Sequence, residues 1–378
     1  MISVFGLGNP LLDILMRGTY DDLEALGITL GSMNLVDYPG QQAVIDRGRE
    51  PYITAGGSCA NTVRAIAWLR RRLEARRGAG GSAGPAAASG AASGAPASGA
   101  ASGAAEAPVA AAVPLAPAYT GAVGKDENGD RFLRCLEGEG VVLSLARKST
   151  PTGSSAILVT PDHERTMFTF LGACRDYELA DLEESLLEKC EIFYTTGYMW
   201  DTENEEAAAR RGIEYARQLG KLVAFDVADP FVVHRFREKL VSYLPGRIDI
   251  LFANRDELAA MVGIDDEPEL ILTEARRFAP VVIMKVGKEG CYLASEEGIR
   301  KIPATPVEAK DTTGAGDSFA GGFLFARLLE ADLDVACRTA NTLAAAVVQV
   351  NGCDYSLLRE DQLDAVLDCL PQASHRES

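Results

Sequence analysis

A chain of 378 residues, 47% hydrophobic and 24% charged, has the composition of a globular protein with apolar material for a large core. Its formal net charge of −17 argues against nucleic acid or an anionic membrane as a general partner, although a local site can still take an anionic substrate. No apolar stretch is long enough to span a bilayer, and MISVFGLGNPLLDIL lacks a basic leader, so a cytoplasmic location is expected.

In chain order, ISVFGLG at 2–8 reads as a buried strand and NTVRAIAWLRRRLEARR at 61–77 as a helix. Residues 78–118 are almost only Ala, Gly, Ser and Pro. With nothing large to bury they cannot offset their ordering entropy, and they read as a disordered insertion in one domain spanning 1–370. AYTGAVG at 118–124 and EIFYTTGY at 191–198 are strands, the latter leading to a helix opened by Thr202 with Glu205 at capping-box spacing. KLVAFDVA, IDILFAN and PVVIMKVG are further strands, with the helix RDELAAMVG after the second and a hairpin partner, GCYLAS, after the third. GDSFAGGFLFARLLEA and VACRTANTLAAAVVQVNG close the series as apolar helices. Short apolar strands alternating with helices predict a mainly parallel sheet covered on both faces, with ligands at the carboxyl ends of the strands.

Eight cysteines are dispersed without a C-x-x-C pair, so neither a zinc site nor a redox motif is indicated, and free thiols are expected. His163, His234 and His375 lie far apart, which disfavours a histidine metal site or triad.

DTTGAGDSFAGG at 311–322 places small residues where a helix begins. Amides there have no intrahelical partner, the helix dipole favours negative charge, and Gly314, Ala315 and Gly316 let an anion approach the backbone. The turn is a cradle for a phosphoryl group in transit. Asp317 beside it is electrostatically wrong for phosphate binding. It makes sense as a general base that takes a proton from an attacking hydroxyl, or else as a simple helix cap.

DTTGAGDSFAGGF resembles the C-terminal signature of the ribokinase-like (PfkB) carbohydrate and nucleoside kinases, and AGGSCANTVRAIAWL at 55–69 resembles their N-terminal signature. The resemblance implies an α/β ribokinase-like fold: a mainly parallel central sheet flanked by helices in three layers, with a small β-sheet lid built from segments within 14–55 and 119–170. It implies ATP and Mg2+, with Asp317 as catalytic base and Gly314, Ala315 and Gly316 as anion hole. ANRDEL at 253–258 is similar to the family's N-x-x-E motif, so Asn254 and Glu257 fall to the nucleotide side, Glu257 acting on Mg2+ through water; an asparagine cap and a surface glutamate is the plainer alternative. In KVGKEG at 285–290, Lys285 stands where the family usually has threonine, and a lysine can reach a phosphate as a point charge. Gly287 and Gly290 fit the turn, and Asn341 corresponds to a residue near the adenine in relatives, or is a polar residue on a packed helix. Asp311 matches a position at a monovalent-cation site, which makes K+ a candidate.

On the acceptor side, the resemblance assigns Asn9, Asp13, Gly56, Gly57 and Asn61 to a hydroxymethyl-bearing small molecule, Asp13 accepting hydrogen bonds from a vicinal diol. GNPLLD resembles the adenosine-kinase-like branch, as does FDVADPFVVHRF at 225–236, whereas GYMWDTEN is closer to bacterial members of that branch. Adenosine phosphorylated on its 5′-hydroxyl to AMP is therefore the leading expectation, with a sugar acceptor (ribose, fructose or ketodeoxygluconate) as the alternative. Phe168, Phe170, Tyr198 and Trp200 are candidates for stacking on a base, although aromatics in strands are more often core. Both a monomer and a homodimer are compatible with the resemblance.

Overall fold

The computed structural model describes residues 2–26, 33–80, 115–161 and 165–371. Most of the expected 78–118 insertion, residues 81–114, lies outside them, as do His163 and His375. Among the described residues, no helix is long and apolar enough to cross a membrane, and all eight cysteines are free.

The described strands are β1 (Ile2–Leu7), β2 (Leu11–Arg17), β3 (Met33–Leu35), β4 (Arg49–Gly56), β5 (Ala118–Gly124), β6 (Val142–Lys148), β7 (Ser154–Val159), β8 (Arg165–Phe170), β9 (Cys190–Thr196), β10 (Leu222–Asp226), β11 (Ile250–Asn254), β12 (Val281–Lys285), β13 (Cys291–Ser295) and β14 (Gly298–Ile302). Nine form one sheet in the order β14-β13-β12-β11-β10-β9-β1-β5-β6, parallel from β12 to β6 and antiparallel at the β12–β13–β14 edge. This is the α/β ribokinase-like architecture that the resemblance implied. Strands buried on both faces need apolar side chains at successive positions, and β1 is buried throughout. Alternate residues feed separate cores. Val4, Ala224, Phe252 and Ile283 face one layer of helices, and Phe5, Phe225, Leu251 and Val282 face the other. The chain winds outward in both directions from β1, so the strand order reverses at its carboxyl end, where α/β sheets open a ligand crevice.

Five strands make the smaller sheet, in the order β3-β8-β7-β2-β4. It draws on 154–170 but not on β5 and β6, which belong to the large sheet. Its parity decides what it offers. Ile14, Met16, Ala156, Leu158 and Phe168 pack on Leu23 and Val44 of the Tyr20–Leu26 and Tyr38–Ile45 helices. The intervening positions Asp13, Ser155, Arg165, Met167 and Thr169 turn toward the large sheet and line a cavity.

The Ser58–Gly80 helix lies against the Ala315–Leu328 helix. Contact is close because a Cβ on Gly321 would come within 2.5 Å of the Ala65 Cβ, and Thr62 Oγ1 donates to the Asp317 carbonyl at 3.1 Å. The two signature segments, about 250 residues apart in sequence, meet here.

The cap at Thr202 forms, with Glu205 N–H donating to Thr202 Oγ1 at 3.2 Å and that hydroxyl donating to Glu205 Oε2 at 2.8 Å. Glu205 is fully buried, its Oε1 has no partner, and burial pushes its carboxyl up to about 8. A carboxyl raised in the folded state favours the protonated form, so this group costs stability progressively as pH rises from about 4.5 to about 8. Glu205→Gln is expected to narrow that loss. Its Tm should match the parent at pH 5 and exceed it by several degrees at pH 8.5, read by thermal unfolding at both pH values.

Candidate functional site

A cavity of ≈ 810 Å³ opens between the two sheets at the carboxyl ends of β1, β9, β10, β11 and β12. It brings together Asn9, Asp13, Gly57, Asn61, Asn254, Glu257, Lys285, Gly287, Asp311, Gly314, Gly316 and Asp317. Twelve sequence-predicted residues from five segments thus share one space. Gly56 stands behind Asp13, where a Cβ would approach the carboxylate to 2.3 Å. Three others are not among the lining residues. The Ala315 N–H donates to the Thr312 carbonyl at 3.2 Å. Gly290 closes the β12–β13 turn at φ +98°. Asn341 Nδ2 donates to the Ile302 carbonyl at 3.0 Å, tying a packed helix to β14.

Gly314 precedes the helix in the left-handed region at φ +71°, a conformation that a side chain disfavours, and no side chain caps the helix. Asp317, in its first turn, is not a cap: its Oδ1 accepts from Ser58 Oγ at 2.7 Å and its Oδ2 from Asn61 Nδ2 at 3.0 Å, both on the neighbouring helix. Burial raises the Asp317 pKa, while the Asn61 and Ser58 hydrogen bonds favour the ionised form and limit the rise. Asn61 is itself positioned. Its Oδ1 accepts from Arg64 Nη1 at 3.2 Å, and Arg64, fully buried, is clamped on Glu139 by two bonds of 2.7 and 2.8 Å. Gly57 begins this helix at φ +92°, and a Cβ there would sit 2.2 Å from the Asn9 carbonyl oxygen.

On the opposite side, Lys285 Nζ bonds both oxygens of the buried Asp226, at 3.1 and 2.9 Å. Burial would lower the Lys285 pKa, but the Asp226 and Glu257 carboxylates reverse this and raise it. The ammonium also lies close to the helix start, since a Cβ on Gly316 would be 3.3 Å from Nζ. A cation beside the positive end of a helix is unfavourable unless an anion joins them, and a phosphate between Lys285 and the first-turn amides would balance both. Asn254 and Glu257 form a reciprocal capping box, with Asn254 N–H to Glu257 Oε2 at 2.8 Å and Glu257 N–H to Asn254 Oδ1 at 2.8 Å. The asparagine cap of the plainer alternative therefore forms, but Glu257 is buried and lines the cavity instead of lying on the surface. Burial pushes the Glu257 carboxyl up to about 7 against the pull of Lys285. Among the described residues, no group of three His, Cys, Asp or Glu side chains could hold a metal directly.

Asp311 is buried, accepts from Thr313 N–H at 2.8 Å and from Gly352 N–H, and pairs with Arg165, which also donates to Thr313 Oγ1. Arg165 comes from β8, so this pair links the smaller sheet to the glycine turn. Asp13 is buried as well, and desolvation raises its carboxyl to about 7 despite Arg64.

Of the four stacking candidates only Tyr198 reaches the cavity, its hydroxyl donating to Asp229 at 3.2 Å. Strand parity turns Phe168 into the small core and Phe170 onto Tyr38, ring centroids 5.4 Å apart. Trp200 packs edge-on against Phe225 at 5.3 Å. Phe231 and Phe236 line the wall instead. Sequence reading also passed over Ser58, Arg64, Arg165 and Asp226. Ser58 and Asp226 had a local signal, one inside the AGGSCAN segment and one at a strand's carboxyl end. The arginines had none.

Lys285→Met is expected to raise the KM for the phosphoryl donor about 10- to 100-fold, the scale of one charge-assisted contact of roughly 1.5–3 kcal/mol. The acceptor KM should stay within a few-fold, as initial-rate kinetics would show.

Residues 99–360 match the family described as pfkB family carbohydrate kinase. Adenosine kinase of Saccharomyces cerevisiae is 30% identical over 370 residues, 92% of this chain and 95% of that protein. A nucleoside kinase of Methanothermobacter thermautotrophicus is 30% identical over 65% of this chain and 76% of its own length. Among solved structures, adenosine kinase from Sinorhizobium meliloti superposes with TM-score 0.78 at 26% identity, covering 97% of this chain and 99% of that one. A probable sugar kinase from Rhizobium etli gives TM-score 0.79 at 26% identity, with 97% and 98% coverage. Since the matched segment runs through the glycine turn and Asp317, and the yeast relative aligns along nearly the whole chain, the protein belongs to the pfkB family of carbohydrate kinases.

Proposed function

We propose that this kinase transfers the γ-phosphoryl group of ATP to the 5′-hydroxyl of adenosine, giving AMP and ADP. The observation that carries the reading is the half-buried Asp317 carboxylate, held by Ser58 and Asn61 at the mouth of the glycine turn in the cavity that also contains Asp13. Asp317 takes the hydroxyl proton as the oxygen attacks the phosphorus, the bond to ADP breaks, and the proton remains on the carboxyl. First-turn amides at Gly314 and Gly316, with Lys285, stabilise charge on the group in transit. Mg2+ would be held by the donor's phosphates and, through water, by Glu257; when bound it neutralises phosphate charge. K+ remains a candidate at Asp311, where the backbone would face the cation while the side chain pairs with Arg165.

Asp13 projects a two-oxygen acceptor suited to a vicinal diol, which adenosine and a free sugar both carry. Adenosine is favoured over a free sugar by two things. Tyr198, Phe231 and Phe236 line the cavity as aromatic candidates for packing a base, the Arg235 guanidinium lying over the two phenylalanine rings. Relatives that align along the chain are named adenosine and nucleoside kinases. The smaller sheet serves as a lid, its Arg165 reaching the glycine turn on closure and its odd-numbered positions excluding water from ATP. The likeness to a probable sugar kinase keeps a sugar acceptor as the second reading.

ADP release with Mg-ATP decides between them across adenosine, inosine, guanosine, cytidine, ribose, fructose and ketodeoxygluconate. Adenosine is expected to give the highest kcat/KM. A free sugar in that place would overturn the acceptor assignment and leave the role of Asp317 standing.

A further inference from the structure

The two ends of a side-chain amide have nearly the same shape, so the hydrogen bonds around it decide which end faces which neighbour. Asn61 stands between two ions. Its Nδ2 donates to Asp317 Oδ2 at 3.0 Å, and its Oδ1 accepts from Arg64 Nη1 at 3.2 Å. Turned over, the amide would set its oxygen against a carboxylate and its N–H groups against a guanidinium, which has donors only. Asp317 enforces the observed orientation only while it is ionised. Arg64 enforces it at every working pH, because a guanidinium keeps its proton in proteins. Arg64 also has no freedom to retreat. Its side chain is 2% exposed, its Nε and Nη2 are forked on Glu139 at 2.7 and 2.8 Å, and its Nη1 donates in addition to the Ala55 carbonyl at 2.7 Å.

We propose that Arg64, pinned by Glu139, is a positioning residue for phosphoryl transfer: it locks the Asn61 amide so that Asp317 always meets an N–H donor. The inference rests on Asp317 being the base. Arg64 is not among the residues lining the large cavity, so it acts on the reaction through Asn61 and not by touching a substrate. Packing alone is a poor reason for the ion pair. An apolar side chain of similar length would fill the space without the cost of taking a guanidinium out of water, and a buried pair is often replaceable in that way with no loss of stability. What an apolar side chain cannot do is reject the wrong end of the amide. With the lock gone, the amide oxygen can face Asp317 and accept from its protonated form, which stabilises the neutral, inactive carboxyl.

The groups around the base fix the sign of the effect. Losing a donor, or gaining an acceptor, favours protonated Asp317, so the acid side of the kcat profile moves to higher pH. The charged groups facing Asp317 from other elements are Asp226 on β10, Lys285 on β12 and Asp13 on β2. Asp226 and Lys285 are paired with each other and keep that pair when Arg64 is replaced. Asp13 works in the opposite sense. Arg64 is the strongest charge opposing the desolvation of Asp13. Without it Asp13 is neutral over a wider range, repels the Asp317 carboxylate less and moves the profile down. Cys59, Tyr194, Tyr198 and Cys353 also face Asp317, and burial pushes all four up, so they stay neutral near pH 7. An upward shift therefore reports the amide.

The test is kcat of the full-length protein across pH, at saturating Mg-ATP and whichever acceptor it turns over fastest, in Arg64→Met, Asn61→Ala and the double variant. Arg64→Met is expected to lower kcat at pH 7 about tenfold, to raise the pH of half-maximal kcat by about half a pH unit or more, and to leave the ATP KM within a few-fold. In the Asn61→Ala background the same substitution should change kcat by less than about twofold and leave the half-maximal pH in place, since the relay has nothing left to act through. Effects that multiply in the double variant, or a fall in kcat with no shift of the half-maximal pH, would make Arg64 a structural residue and overturn the proposal. Glu139→Gln, at a partly exposed position, loosens the fork and decides the matter if Arg64→Met does not fold. It should move the profile the same way by a smaller amount, and an unmoved profile would overturn the proposal. Normal kcat in Asp317→Asn would instead remove the base itself, so failure of this inference and failure of the reading it rests on are distinguishable.

Discussion

Asp317→Asn is expected to lower kcat by about 10³-fold or more, at the upper end of what a positioned general base supplies, while leaving both substrate affinities within a few-fold. Asparagine keeps the shape and one acceptor oxygen, so Ser58 or Asn61 can still anchor it. What is lost is the ability to take a proton. Stability should not fall, because the substitution removes a charge from a half-buried position whose pKa is raised by desolvation. Rapid-quench or steady-state turnover, with calorimetric Kd values for adenosine and ATP, separates the two effects. Normal kcat in this variant would remove Asp317 from the chemistry; loss of binding with loss of turnover would make it a structural residue. The pH profile of the parent carries a second sign. A base with a raised pKa is protonated over a wider range, so kcat should fall as pH drops through that raised value, and Asn61→Ala, which removes a hydrogen bond favouring the ionised form, should move the fall to higher pH.

The parts of this site that were legible in the sequence are those whose backbone demands a residue type. Gly314 and Gly57 adopt left-handed geometry, and Asp317 follows immediately on the turn that the first of them makes. Such positions announce themselves one residue at a time. The mainly parallel sheet was legible, though not its strand order, because β1, β9, β10 and β11 are short apolar runs between helices, a pattern few sheets other than parallel ones produce. The stacking residues were not. Phe168 and Phe170 share a strand with cavity-lining Met167 and Thr169, and a period of two turns one pair to the core and the other to the ligand. Sequence shows the alternation but not which parity faces which side; that is set by the helices packed on the smaller sheet. Arg64 and Arg165 were invisible for a different reason. Each acts through a partner far along the chain, Glu139 or Asp311, and no local spacing encodes a contact of that range.

Asp13→Asn is expected to raise the KM for adenosine about 10²-fold, with a smaller effect on kcat. A carboxylate accepting from both hydroxyls of a diol makes two charge-assisted bonds, and an amide can accept only at one of its two positions. The pH dependence is the sharper test. Asp13 titrates at about 7 because burial, helped by Asp317 and Asp311, outweighs Arg64 and Arg165. Below that value the parent carries a neutral carboxyl that offers a proton where the diol needs an acceptor. The adenosine KM of the parent should therefore rise as pH falls from 8 to 6, while that of the variant stays flat and high. Binding should release a proton near neutral pH, since the diol favours the ionised form; the enthalpy measured in buffers of different ionisation heat reports it. The same shift acts on stability with the opposite sense: the folded state prefers protonated Asp13, so the unliganded protein loses stability as pH rises from about 3.8 to about 7. Adenosine should offset that loss in the parent and not in the variant. Comparing adenosine with 2′,3′-dideoxyadenosine, which keeps the 5′-hydroxyl, ties the effect to the diol. The parent should discriminate between them about 10²-fold in kcat/KM, and Asp13→Asn should reduce the ratio to below about tenfold. Undiminished discrimination in the variant would move the diol away from Asp13, and with it the ribose from the small sheet's inner face.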